Sequence, residues 1–162
     1  MAFIRSLCFV LLVGLAAACQ PRCPKCPPMW IFYKGNCYRF FGTGKTYDEA
    51  EKYCQQFTQV GQGHVASIAS AEENNLLLTM WKSASEPQKT GALWIGCTDK
   101  AGEKNFIWTD GSPVGFTAWS DGRPKYNSIS RPCAHMRYKY AKWNDAKCDN
   151  VWPHICKMAT TD

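Results

Sequence analysis

Leu93-Trp94-Ile95-Gly96-Cys97 is the first of several short aromatic and β-branched runs in the second half of a 162-residue chain. Phe106 to Thr109, Cys133 to Tyr140 and Trp152 to Cys156 follow it. Each run is bounded by Gly, Pro, Asn or Asp, which is strand and turn chemistry. From Ala92 onward no apolar set repeats at helical spacing. Toward the N-terminus the pattern changes. Thr46-Tyr47-Asp48-Glu49 is a capping box, in which the Thr hydroxyl and the Glu carboxylate each satisfy a free backbone N–H, and Tyr47, Ala50, Cys54 and Phe57 then share one helical face. Ser70-Ala71-Glu72-Glu73 repeats the device ahead of an apolar face of Leu76, Leu77, Met80 and Trp81. Trp30 to Tyr33 and Cys37 to Phe41 flank Lys34-Gly35-Asn36 and read as a hairpin. Helices first and strands later predict an α+β domain, and the length suits one domain with a real core.

The first residues run Met1 to Arg5, then an apolar stretch from Leu7 to Leu15, then Ala16, Ala17 and Ala18. That is the charge, core and small-residue order of a secretory signal, and the run is too short to span a membrane. Cleavage after Ala18 or after Cys19 fits equally, so the expectation is a signal peptide over 1–18, a Cys/Pro-rich neck over 19–28 and a domain over 29–162. Ten cysteines point to an oxidising, extracellular setting in which bridges support the core. The formal charge is +6, which falls to +5 once Arg5 is removed with the signal. This mild excess suits an anionic partner without requiring one. Nothing indicates nucleic-acid binding or membrane insertion.

Leu93-Trp94-Ile95-Gly96, Trp108-Thr109-Asp110-Gly111, Trp119, and Trp143-Asn144-Asp145 followed by Cys148 together resemble the C-type lectin-like domain family, across about Cys26 to Lys157. The chain is similar to small secreted single-domain invertebrate members. The resemblance implies two helices with small antiparallel sheets and a long loop region, in the longer form with an N-terminal hairpin. It also implies three bridges: Cys26 with Cys37, Cys54 with Cys156, and Cys133 with Cys148. The Cys54–Cys156 bridge closes the largest loop, for which chain entropy gives ~4–5 kcal/mol. Cys97 reads as a buried inert thiol. Cys23 and Cys19 fall outside this framework, and either an interchain bridge giving a disulfide-linked homodimer or an intrachain Cys19–Cys23 bridge accommodates them.

Lectins of this family hold calcium, and through it sugar hydroxyls, with oxygens converging on a hard dication. Asn144 and Asp145 match one part of that ligand set, and Asp99 and Glu103 fit the first positions of an auxiliary calcium site. The triplet position is Arg123-Pro124-Lys125, the preceding Glu position is Arg131, and Tyr126 and Pro132 stand where further carboxylates are expected. Cations in place of metal ligands argue against calcium as a cofactor. The expected ligand-binding residues are Arg123, Lys125, Arg131, Trp143, Asn144 and Asp145. With Arg137, Lys139, Lys142, Lys147, Tyr126, Tyr138 and Tyr140 they suggest a basic long-loop face for anionic or sulfated glycans. A merely solvated basic face is the alternative, and strand alternation would separate Tyr138 and Tyr140 from Arg137 and Lys139. His64, His135 and His154 are scattered, and Asp121, Asp145 and Asp149 form no glycosidase pair, so no catalysis is expected. Two functions remain: a secreted glycan-recognition lectin for microbial or matrix sugars, or a structural or protein-interaction module of extracellular or mineralised matrix.

Overall fold

The computed structural model describes residues 26–84, 91–99, 102, 105–125 and 132–160. The signal segment, Cys19, Cys23, Glu103, Tyr126 and Arg131 lie outside the described residues. The elements, in order, are β1 (Ile31–Tyr33), β2 (Asn36–Lys45), α1 (Tyr47–Cys54), β3 (Gly63–Val65), α2 (Ala71–Ala84), β4 (Ala92–Thr98), β5 (Ile107–Trp108), β6 (Cys133–Arg137), β7 (Trp143–Ala146) and β8 (Trp152–Ala159).

The α+β class holds, but the strands form one eight-stranded sheet, not several small antiparallel ones. Its order is β1-β2-β8-β4-β6-β7, with β3 added on β8 and β5 on β4. The last strand makes the fusion, since β8 pairs antiparallel with β2 and β3 but meets β4 in parallel at Trp94 and His154. All seven residues of β4 are buried, as a strand covered on both faces requires. A Cβ on Gly96 would lie 2.2 Å from the Val65 carbonyl oxygen, which is why this run breaks at glycine.

The capping box of α1 is complete: Thr46 N–H donates to Glu49 Oε2 at 3.0 Å and Glu49 N–H donates to Thr46 Oγ1 at 3.4 Å. That of α2 is half formed. Glu73 N–H donates to Ser70 Oγ at 3.2 Å, but the Glu73 carboxylate turns inward to accept from Ala69 N–H and Lys157 Nζ, each at 2.7 Å, and from the Tyr38 hydroxyl. Three donors compensate a carboxylate that is almost fully buried. In α2, Leu77, Met80 and Trp81 are buried as expected and Leu76 packs at the margin.

The run from Cys133 does not continue to Tyr140. Strand β6 stops at Arg137, Ala141 adopts φ +53°, and Arg137 N–H donates to Lys142 O at 2.8 Å, which reverses the chain into β7. The Trp-Asn-Asp motif is thus itself in a strand, paired residue for residue with Ala134 to Met136.

Bridges join Cys26 to Cys37, Cys54 to Cys156 and Cys133 to Cys148. Cys26, near the end of the segment read as the neck, is buried and tied to β2 by its bridge. Cys97 is free and buried, and burial pushes its thiol up to about 12, leaving it a small core hydrophobe. Among the described residues no helix is long and apolar enough to cross a membrane.

The buried His154 and the half-buried His135 give the fold an acid limit. His154 stacks on Phe41 at 5.4 Å with no hydrogen-bond partner, and burial, then the Lys45 ammonium, lowers it to about 4. Burial, then Arg137, lowers His135 to about 4 as well. As pH falls below the ordinary value of about 6.5, the unfolded chain takes up protons that the folded chain refuses until about pH 4. Stability is therefore full above neutrality and is lost across that window, by roughly 2–3 kcal/mol per histidine at about pH 4.5. Urea midpoints at neutral and acid pH should show this loss, and His154→Phe should remove about half of it. Equal midpoints would refute it.

Candidate functional site

The long connection between β5 and β6 lies on β7. Trp143 N–H donates to Ala118 O at 2.8 Å and Ser120 N–H donates to Trp143 O at 2.9 Å, so residues 118–120 run beside the strand. The Trp119 ring meets Phe106 at 4.9 Å and Trp143 at 5.7 Å, which anchors this stretch in the core. A turn then follows, with Gly122 at φ +69° and Arg123 N–H donating to Ser120 O at 3.0 Å. The Arg123–Pro124 peptide bond is cis, and Pro124 is buried.

That turn delivers Arg123 to β7. Its Nη1 stands 2.8 Å from Asp145 Oδ1, with the Asp145 side chain 1% exposed and that of Arg123 21% exposed. Asp145 Oδ2 and Asn144 Oδ1 are buried with no hydrogen-bond partner. Of the residues singled out from sequence, Arg123 and Asp145 meet, and Asn144 precedes Asp145 on β7. Lys125 is exposed just beyond Pro124. Trp143 is the exception. Its ring is fully buried against Trp108, Phe116 and Trp119, and its Nε1 donates to Asn74 Oδ1 at 2.8 Å. It cannot stack on a ligand, because the loop has folded over it.

The residues do not fit calcium. The ion takes six to eight oxygens, and a guanidinium occupies the approach to Asp145, so that among the described residues Asn144 Oδ1 and Asp145 Oδ2 are the buried oxygens of β7 left without a partner. Asp99 serves the loop instead, accepting from Asn105 N–H at 3.2 Å through Oδ1 and from Gly102 N–H at 3.0 Å through its carbonyl. Cys54, Cys156 and His154 are near enough to share a metal, but the two sulfurs are consumed by their bridge.

The expected single basic face is not assembled. Arg137, Lys139 and Lys142 sit at the β6–β7 turn, three residues or more along the strand from Asp145 and so roughly 10 Å away, while Lys147 lies past the other end of β7. Tyr138 packs edge-on against Trp81 at 5.0 Å, whereas Tyr140 is 61% exposed.

The site is thus carried by a loop laid on a disulfide-stapled sheet. A family model for the lectin C-type domain matches residues 43–158, and the chain belongs to that family. It is 63% identical to the alpha-N-acetylgalactosamine-specific lectin of Patiria pectinifera across 100% of both chains. The C-type lectin CEL-I from Cucumaria echinata superposes with a TM-score of 0.78 and 32% identity, covering 85% of this chain and 100% of that one. A calcium-independent type II antifreeze protein shares the fold at a TM-score of 0.72 and 28% identity, covering 84% of this chain and 95% of that one. The family and its lectin relatives are non-enzymatic, and the protein is not an enzyme.

Proposed function

We propose that this protein is a secreted carbohydrate-binding lectin whose long-loop face takes its ligand without calcium. The observation that carries this reading is the Arg123–Asp145 ion pair, an internal cation held at 2.8 Å on the carboxylate that a metal would need. Paired and largely desolvated, that guanidinium pins the loop to β7 as a bound ion would, with no dependence on solution calcium. The 63% identity to a lectin named for alpha-N-acetylgalactosamine makes that sugar the first ligand to try. Lys125, exposed at the loop, together with Arg131, favours sugars that carry acidic groups. We further propose that Cys23, with or without Cys19, joins two copies through the neck, since pairing weak sites raises their joint affinity.

A glycan array tests this in one experiment. The same ligands should appear in calcium and in chelator, and Cys19→Ser with Cys23→Ser should weaken the signals by about tenfold or more without changing their identity. Ligands that appear only in calcium overturn the metal-free site. An empty array turns the reading to a matrix or protein-interaction module, and undiminished signals from the cysteine variant refute the dimer.

A further inference from the structure

The turn between β6 and β7 gathers cations that the long-loop site does not use. Arg137, Lys139 and Lys142 are all exposed there. Arg137 N–H donates to Lys142 O at 2.8 Å and Ala141 N–H donates to Arg137 O at 3.0 Å, so Arg137 and Lys142 stand side by side with Lys139 between them in the turn. The Tyr138 ring, set against Trp81, brings in a fourth cation from the end of α2, since Lys82 Nζ lies 5.6 Å from its centroid. The turn is also held in place. Asn74 of α2 donates through Nδ2 to Ala141 O at 3.0 Å and accepts from Trp143 Nε1 at 2.8 Å, so the cations ride on a fixed support and not on a loose loop.

Among the described residues Arg123 and Lys157 are ion-paired, with Asp145 and Glu73, whereas none of Lys82, Arg137, Lys139 and Lys142 has a carboxylate partner. Four like charges on one rigid corner repel one another weakly in water, and a partner with regularly spaced anions relieves that repulsion while releasing its own counterions. Among the described residues the one largely exposed ring of this corner is Tyr140, with Lys139 Nζ 5.0 Å from its centroid. The corner offers no apolar wedge for a bilayer and no aromatic row on which successive bases would stack.

We propose that the β6–β7 turn with the end of α2 is a docking surface for a sulfated polysaccharide, separate from the long-loop sugar site. Arg137 and Lys142 meet one sulfate from two sides, and Lys139 and Lys82 meet its neighbours along the chain. The contacts are exposed and screened, so binding is strongly salt-dependent.

Retention on immobilised heparin in chelator, eluted with a salt gradient, tests the assignment. Wild-type protein should be retained at low salt. Lys139→Ser with Lys142→Ser should weaken heparin binding tenfold or more and lower the log–log salt slope by about one to two, on the counterion-release argument for removed contacts. Lys125→Ser should change affinity by less than about twofold, and the array ligands of the long-loop site should survive the turn substitutions, so each site can fail without the other. The substituted side chains are exposed, and an unchanged urea midpoint confirms that the fold is intact. The proposal is overturned if the turn variant elutes with wild type, if Lys125→Ser alone abolishes retention, or if desulfated heparin, an anionic vesicle or single-stranded DNA binds as tightly as heparin.

Discussion

Cys54→Ser combined with Cys156→Ser is expected to leave the chain largely unfolded near physiological temperature. The bridge links positions 102 apart, whereas the other two bridges span 11 and 15. Closing a loop of about 100 residues restricts the unfolded chain by ~4.7 kcal/mol, against about 3 for a short one, and a domain's whole stability is on the order of 5–15 kcal/mol. Both cysteines are fully buried, one on α1 and the other on β8, the strand that fuses the sheet. Their loss therefore frees the helix from the strand on which β2, β3 and β4 all depend. Urea unfolding compared with Cys133→Ser/Cys148→Ser is the measurement. A Cys54/Cys156 variant within about 1 kcal/mol of wild type would show that the sheet and core hold the domain without the bridge.

Arg123→Ala is the second substitution with a large expected cost. Removing one partner of a buried ion pair leaves an uncompensated charge and costs about 3–5 kcal/mol, and the lower end applies because the Arg123 side chain is 21% exposed. A drop in melting temperature on the order of 10 °C follows for a chain of this size. Asp145→Asn placed on top should recover part of the loss, since an amide needs no counter-charge, and the double-mutant cycle isolates the pair from other effects. Sugar binding on the array should fall with Arg123→Ala as the loop comes away from β7, while heparin retention through the β6–β7 turn persists. A cost under about 0.5 kcal/mol would mark the pair as an ordinary surface contact and remove the support for a metal-free loop.

The two helices were legible because capping boxes and apolar faces are local, and the half-used box of α2 shows the limit. Ser70 caps as its spacing requires, but the Glu73 carboxylate takes Ala69 N–H in place of the Ser70 N–H and also serves Lys157 and Tyr38, which lie far along the chain. The strand from Cys133 was read too long because Tyr138 and Tyr140 have strand propensity, whereas Ala141 at φ +53° and the Arg137 to Lys142 closure are set by packing on Asn74 and Trp81. Trp143 was placed at the ligand surface because its neighbours Asn144 and Asp145 belong there. Trp143 and Asp145 are two apart on β7, so alternation alone leaves them on one face, and it is the packing of Trp108, Phe116 and Trp119 that closes over the ring. Lys82 went unnoticed altogether, since nothing in its own surroundings links it to residues more than fifty positions later.

The chain by itself determined the family and the bridges that follow from it, and it set the expectation that Arg123, Lys125 and Arg131 replace the family's oxygen ligands. These follow from residue identity and order, which survive without coordinates. The tertiary structure alone decided which charges are spent and which are free. Arg123 is neutralised because Gly122 and the buried Pro124 return the loop to Asp145, and Lys82, Arg137, Lys139 and Lys142 are left together because a tight turn folds onto the end of α2. A cation's role depends on what lies within a few ångströms of it, and in this fold those neighbours come from distant parts of the chain.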